Sequence, residues 1–324
     1  MRKALSIGFG LVAAAGMVCL LAQTPLRLSR PEKTVVVNWN FAHQGVPKWE
    51  RGVLLDHGVE DGKIVVIGVD GQVKLQTTVG PPGAQKVRIS DVTIAPDGGF
   101  VAAIGVAAET GESRAYLAWL DAAGRMQKLQ PLENAAAVGV EFARDGTLWA
   151  LIRKHDADDN EIAGYDMLQH YSADGTTIGS ALPRQSFPID ATYPAWFPCL
   201  RATKDRVGFL SNGTNEWVEV SPNDGKLLGR WGLQAEWGAR GMRIDSAAMT
   251  PEGDVYLNTS ERDPKGVRKT RFGVFRLDRS KNDLVPMDVA PIAVEGVQAT
   301  ILGGDGGRLV ATQGFATLDW VRAE

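Results

Sequence analysis

IAPDGGF, residues 94–100, reads as the end of one strand, a Pro-Asp-Gly turn and the start of the next. Apolar residues flank a polar centre, and glycine at the tip accepts the backbone angles that tight turns demand. The unit recurs as FARDGTL at 142–148, ATKDRVGF at 202–209, MTPEGDVY at 249–256 and LGGDGGRL at 302–309. Its acidic residues fall at positions 97, 145, 205, 252 and 305, which makes the period about fifty residues.

A second signature alternates with the first. It is a strand of alternating large residues ending near Asp or Ser: KIVVIGVDG at 63–71, AYLAWLDAAG at 115–124, MLQHYSADG at 167–175, EWVEVSPNDG at 216–225, FGVFRLDRS at 272–280 and ATLDWVRAE at 316–324. Alternation with period two marks strands with one buried face. Four short strands every fifty residues make a propeller blade, which must stack on neighbours to bury both faces of its sheet. Six copies predict an all-β fold, a six-bladed β-propeller over residues 34–324. Five or seven blades and a β-sandwich stay open as alternatives, because residues 42–62 show no turn of the first kind. The last copy ends without room for an outer strand, and KTVVVNWNF at 33–41 has no blade of its own. The N-terminal strand is therefore expected to complete the last blade.

Residues 1–22 stand apart. Arg2 and Lys3 precede an uncharged apolar run from Ala4 to Ala22, the pattern of a secretory signal or of an N-terminal anchor. Residues 23–33 read as a linker. The expected location is extracytoplasmic, periplasmic or secreted, with membrane contact only through that segment. The net charge is −3, and losing Arg2 and Lys3 makes it −5, which argues against nucleic acid as a partner. Cys19 and Cys199 are the only cysteines. No disulfide framework can form once the leader is gone, and Cys199 is expected as a small buried apolar residue.

The segments APDGGF, ARDGTLWA and TPEGDVYL resemble the repeats of six-bladed propellers of the NHL and gluconolactonase-like (TolB-like) group. The enzymes of that group hold a divalent metal, usually calcium, in the central channel on Glu, Asn and Asp at the entrances of inner strands. Counting back from each turn, the resemblance places Ser90, Val138, Pro198, Asp245 and Gln298 at those entrances. Only Asp245 suits a hard cation, and Asp91 lies one residue off. The set departs from the enzymatic pattern, so no cofactor is expected, with calcium as the alternative.

No nucleophile elbow, phosphate loop, dinucleotide fingerprint or paired-histidine metal motif is present. His170 alternates with apolar neighbours and reads as structural, and His57 reads as part of a turn. Asp156, Asp158 and Asn160 have the spacing that opens a calcium loop. However, Glu161 stands where that loop needs Gly, and Met167 where it needs Glu, so a solvated hairpin is expected. Two inter-blade segments combine aromatics with arginine: Tyr193, Trp196 and Arg201 in the first, and Trp237, Arg240, Arg243 and Asp245 in the second. Such residues stack on sugars or grip anionic groups, and equally pack between blades. Asp245 is expected to pair with an arginine. The reading is a non-catalytic binding or scaffold propeller for a protein, peptide or glycan. The alternative is a metal-dependent hydrolase with its site in the channel.

Overall fold

Each repeated turn joins two antiparallel strands, and four such strands make one sheet. The computed structural model describes residues 26–39, 47–58, 61–84, 86–107, 113–156, 160, 162–186, 199–211, 214–233, 241–261, 271–292, 297, 299–314 and 316–324. Within them lie six four-stranded sheets. Blade one spans residues 48–78, blade two 86–132, blade three 135–183, blade four 200–232 and blade five 242–287. Blade six takes three strands from residues 299–321 and its outermost from β1, Lys33–Val36.

The closing pair is antiparallel, with Lys33 opposite Trp320 and Val36 opposite Thr317. The expected six blades and N-terminal closure are both present. Residues 26–29, in the stretch read as a linker, lie against the propeller: the amide of Leu28 donates to Asp288 O at 2.9 Å, and Leu28 is fully buried.

The apolar interior is divided into six cores, each built by two neighbouring blades. Leu55 and Ile64 of blade one meet Ile89 and Ile104 of blade two, and equivalent layers follow around the ring. The sixth joins Leu302 and Trp320 of blade six to Trp49 and Leu54 of blade one. Trp49 and Trp320 meet edge to face, with centroids 5.5 Å apart. Gly303 permits this approach, because a Cβ there would lie 2.6 Å from the Trp49 carbonyl oxygen. The ring therefore closes by packing as well as by strand pairing.

Blade one hides its turn. β2, Lys48–Glu50, pairs with β3, Val53–His57, across Arg51-Gly52, both at positive φ (49° and 82°). A two-residue turn of this kind needs no aspartate, so the motif is absent where the turn is present. β3 runs through His57, which corrects the expectation of a turn there.

A candidate functional site in the channel and at its entry

Antiparallel order gives the two ends of the propeller different loops. The first-to-second and third-to-fourth turns lie at one end. The second-to-third segments and the connections between blades lie at the other.

At the first end the turns are short and use up their own polar groups. Asp97 Oδ1 accepts from the Gly99 amide at 2.9 Å, and Asp145 Oδ1 from the Thr147 amide and hydroxyl at 2.9 and 2.7 Å. Asp121 and Asp174 close their turns in the same way. Asp97, Asp121, Asp145 and Asp174 are turn caps, each with a carboxylate oxygen held by its own turn.

The other end, the entry end, carries the longer segments. Those between Pro183 and Leu200, between Gly232 and Met242, and between Lys154 and Asp166 all meet strands there. Tyr193, Trp196, Trp237, Arg240 and Asp158 belong to these segments and lie outside the described residues. Asp156 and Asn160 are described: Asp156 Oδ1 accepts from the Asn160 amide at 2.9 Å and its side-chain nitrogen at 3.4 Å. That carboxylate holds its own loop. His170 stacks on Trp149 (4.0 Å between centroids) and shares a 2.8 Å hydrogen bond with the Thr147 hydroxyl.

Along the inner strands, toward their short-turn end, five charged side chains come together. Lys48 and Glu50 come from β2. Asp91 comes from β6, Lys86–Ile94, and Glu141 from β10, Ala135–Phe142. Arg201 comes from β14, Leu200–Ala202. Lys48 Nζ lies 2.8 Å from Glu141 Oε2 and 3.5 Å from both Asp91 Oδ1 and Glu50 Oε2. Its side chain is 5% exposed, so this is a desolvated ion cluster.

The carboxylates also tie blades together. Glu50 Oε1 accepts from the Thr93 hydroxyl and the Ile94 amide of blade two, at 2.9 and 3.1 Å. Asp91 Oδ2 accepts from the Val140 amide of blade three at 3.0 Å. Further round, the Cys199 thiol donates to Ala247 O at 2.8 Å. Asn258 bonds both the amide and the carbonyl of Ile301, at 2.8 and 2.9 Å.

Burial alone would depress the Lys48 ammonium, but Asp91, Glu141 and Glu50 overcome it and hold Lys48 well above the usual lysine range. With all five groups ionised, three negative charges face two positive ones. Burial pushes Glu141 up to about 7, and Glu50 adds to the shift; Lys48 and Arg201 only partly offset it. His57, buried beside the cluster, is held low by desolvation, with its Nδ1 unpaired. Burial raises the Cys199 thiol.

Of the residues picked from sequence, Arg201 alone belongs to this cluster. Its guanidinium donates to Leu200 O at 2.7 Å. Arg243 and Asp245 lie on β18, Met242–Met249, where the register slips between Ile244 and Ser246, making Asp245 a bulge residue. Ser90 and Val138 occupy the same kind of bulge in blades two and three. A bulge inserts one residue and reverses the alternation beyond it. Counting back without it arrives one residue early, at Ser90 instead of Asp91. Lys48, Glu50 and Glu141 went unrecognised. Their signal is a charged residue within an apolar inner strand, as in GVEFARDG at 139–146.

No protein-family model and no curated protein matches this sequence. Solved structures match the fold. An exported-type protein from Bacteroides fragilis is 9% identical, with TM-score 0.55, covering 94% of this chain and 96% of its own. A gluconolactonase from Xanthomonas campestris is 14% identical, with TM-score 0.50 and coverage of 93% and 95%. A luciferin-regenerating enzyme is 12% identical, with TM-score 0.50 and coverage of 92% and 95%. At such identities the shared property is the six-bladed propeller, a fold that hosts enzymes and proteins of other kinds.

The channel residues do not fit the calcium that the enzymes of this fold group hold. A hard cation needs free carboxylate oxygens, and here the three channel carboxylates converge on the Lys48 ammonium instead.

Proposed function

We propose that this protein is a non-catalytic binding propeller, working outside the cytoplasm, that takes a protein, peptide or glycan at its entry end. The observation that carries this reading is the contrast between the two ends. One is sealed by self-satisfied turns, such as those of Asp97 and Asp145. At the other end the connections after Pro183 and after Gly232 are longer, and their sequences include Tyr193, Trp196, Trp237 and Arg240. Aromatic rings supply rigid apolar area for sugar or peptide faces, and guanidinium groups orient anionic or carbonyl groups. The apolar leader at 4–22 supports the extracytoplasmic setting. Among the described residues no helix is long and apolar enough to cross a membrane.

The test is a panel of soluble glycans and peptides, screened against the mature protein and against a Trp196→Ala, Trp237→Ala double variant with an unchanged melting temperature. Binding by the parent that the double variant loses is expected. No binding across the panel, or calcium-dependent lactone hydrolysis by the parent that Asp91→Asn abolishes, would overturn the reading, and the second outcome would put a hydrolase in its place.

A further inference from the structure

Four of the five charged groups along the inner strands are committed to one another or to backbone. Lys48 Nζ bonds Glu141 Oε2 at 2.8 Å and lies 3.5 Å from Asp91 Oδ1 and Glu50 Oε2. Asp91 accepts from the Val92 amide at 2.9 Å and from the Val140 amide at 3.0 Å. Glu50 Oε1 accepts from Thr93 and Ile94. Arg201 is the exception. Its guanidinium makes one hydrogen bond, to Leu200 O at 2.7 Å, and no ion pair among the described residues. A guanidinium carries five N–H donors, so most of them are unspent. Arg201 is also partly exposed, whereas Lys48 is sealed.

The strand register gives its neighbours. Thr93, Glu141, Arg201, Ala248 and Gly304 each occupy the second pair in from the first-to-second turn of their blades, opposite Val101, Trp149, Gly208, Tyr256 and Leu309. At this depth Arg201 follows Glu141 of blade three and precedes Ala248 and Gly304, whose side chains offer no acceptor. Glu141, Asp91 and Glu50 act on the guanidinium through space without forming an ion pair with it. It is thus a planar fork without an occupant. A carboxylate matches that fork, because its two oxygens accept two parallel N–H bonds.

We propose that Arg201 and Glu141 form a receptor for a small organic carboxylate, which is bound together with one proton. The guanidinium takes the ligand's two oxygens. Lys48 holds Glu141 Oε2, so the proton resides on Oε1 and is donated to the ligand as a hydrogen bond. Charge requires that proton, because an ionised Glu141 would set a second anion beside the ligand. Burial, then Glu50, already pushes Glu141 up to about 7, and the ligand's charge raises it further. Among the other groups facing it, Lys48 is held high, Arg201 is raised, and burial holds His57 low and the Cys199 thiol high. Glu141 is therefore the group that takes up the proton. This site is separate from the entry end and does not depend on the binding assigned there.

The experiment titrates the mature chain with sodium propionate by calorimetry at pH 5.5 and pH 8, at constant ionic strength, in buffers of different ionisation enthalpy. The expected result is one site in the parent, with proton uptake read as a buffer-dependent heat. Its affinity should be about tenfold weaker at pH 8, where about a tenth of Glu141 keeps its proton. Arg201→Met should abolish binding. Arg201→Lys, which keeps the charge and loses the fork, should weaken it about tenfold or more. Glu141→Gln should bind alike at both pH values, because its amide is neutral and still donates a hydrogen bond. Melting temperatures confirm that each variant is folded. The proposal is overturned if the parent binds no propionate at pH 5.5, if Arg201→Lys binds as the parent does, or if Glu141→Gln keeps the parent's pH dependence. Tighter binding of inorganic phosphate at the same site would overturn the assignment to carboxylates.

Discussion

The hydroxyl of Thr34 donates to Oδ1 of Asp319 at 2.6 Å, joining residues separated by 285 positions. Thr34 sits on β1 and Asp319 on β24, Thr317–Val321. Oδ2 of Asp319 accepts from Gln313 and Thr317, each at 3.1 Å, so a carboxylate only 1% exposed has all its visible acceptor capacity used. Deleting residues 33–37 should leave β24 as a bare sheet edge and abolish cooperative melting. Thr34→Val should cost about 1–2 kcal/mol, since a donor to a charged, buried acceptor is lost. Equilibrium denaturation measures both, and a deletion variant that melts like the parent contradicts ring closure.

Between blades four and five, Glu219 is fully buried and receives Arg279 Nη2 at 2.5 Å and Nε at 2.9 Å, Arg206 Nη1 at 3.0 Å and Trp217 Nε1 at 3.0 Å. Both arginines are partly exposed, so water can rescue them but not the carboxylate. Arg279→Met should therefore destabilise by about 2–4 kcal/mol, with Arg206→Met costing less because its hydrogen bond is single. A denaturant midpoint for Arg279→Met equal to the parent's would show that the bidentate bond contributes nothing.

The channel cluster predicts a pH dependence with a definite sign. Glu141 is raised from 4.5 to about 7 in the fold, so between those values the native protein holds a proton that the unfolded chain has released. Stability from this group is complete below the unfolded value and is lost as pH rises through about 7. His57 is depressed, so its contribution runs the opposite way, falling as pH drops. Comparing the parent with Glu141→Gln cancels the His57 contribution. The stability difference between the two should shift against the parent by about 1–3 kcal/mol from pH 5 to pH 8. A difference that stays flat over that range would mean Glu141 is ionised throughout.

Cys199 is 3% exposed, donates its thiol to Ala247 O and accepts from the Ala247 amide at 3.3 Å. Burial raises the thiol further above neutrality. It should react with thiol reagents only as fast as the native state opens, and immediately in denaturant. Prompt stoichiometric labelling of the folded protein would place this thiol at the surface.

The architecture was legible because its turns are written in a few residue types. Asp97-Gly98, Asp145-Gly146 and Glu252-Gly253 mark their blades directly. Blade one uses Arg51-Gly52, a different turn with both residues at positive φ, whereas in the Asp97, Asp145 and Glu252 turns only the glycine is. The channel was harder. Lys48 and Glu141 lie 93 positions apart, and nothing local to either indicates the other. The bulges at Ser90, Val138 and Asp245 also displaced the count along the inner strands, so Asp245 was chosen and Asp91 passed over. Ring convergence is a property of the closed structure and has no sequence period of its own.

The pairing of β1 with β24 also orders events in time. β1 is synthesised long before β24, so it waits for the rest of the propeller to be made before it can pair. At roughly 5–20 residues per second, synthesis holds that strand waiting for on the order of 15–60 s. Throughout that interval the inner side of blade one, with Trp49 and Leu54, has no neighbour to cover it. The nascent chain is therefore vulnerable to self-association until blade six has been made. A premature stop that removed only β24 would leave five complete blades and a chain unable to lock.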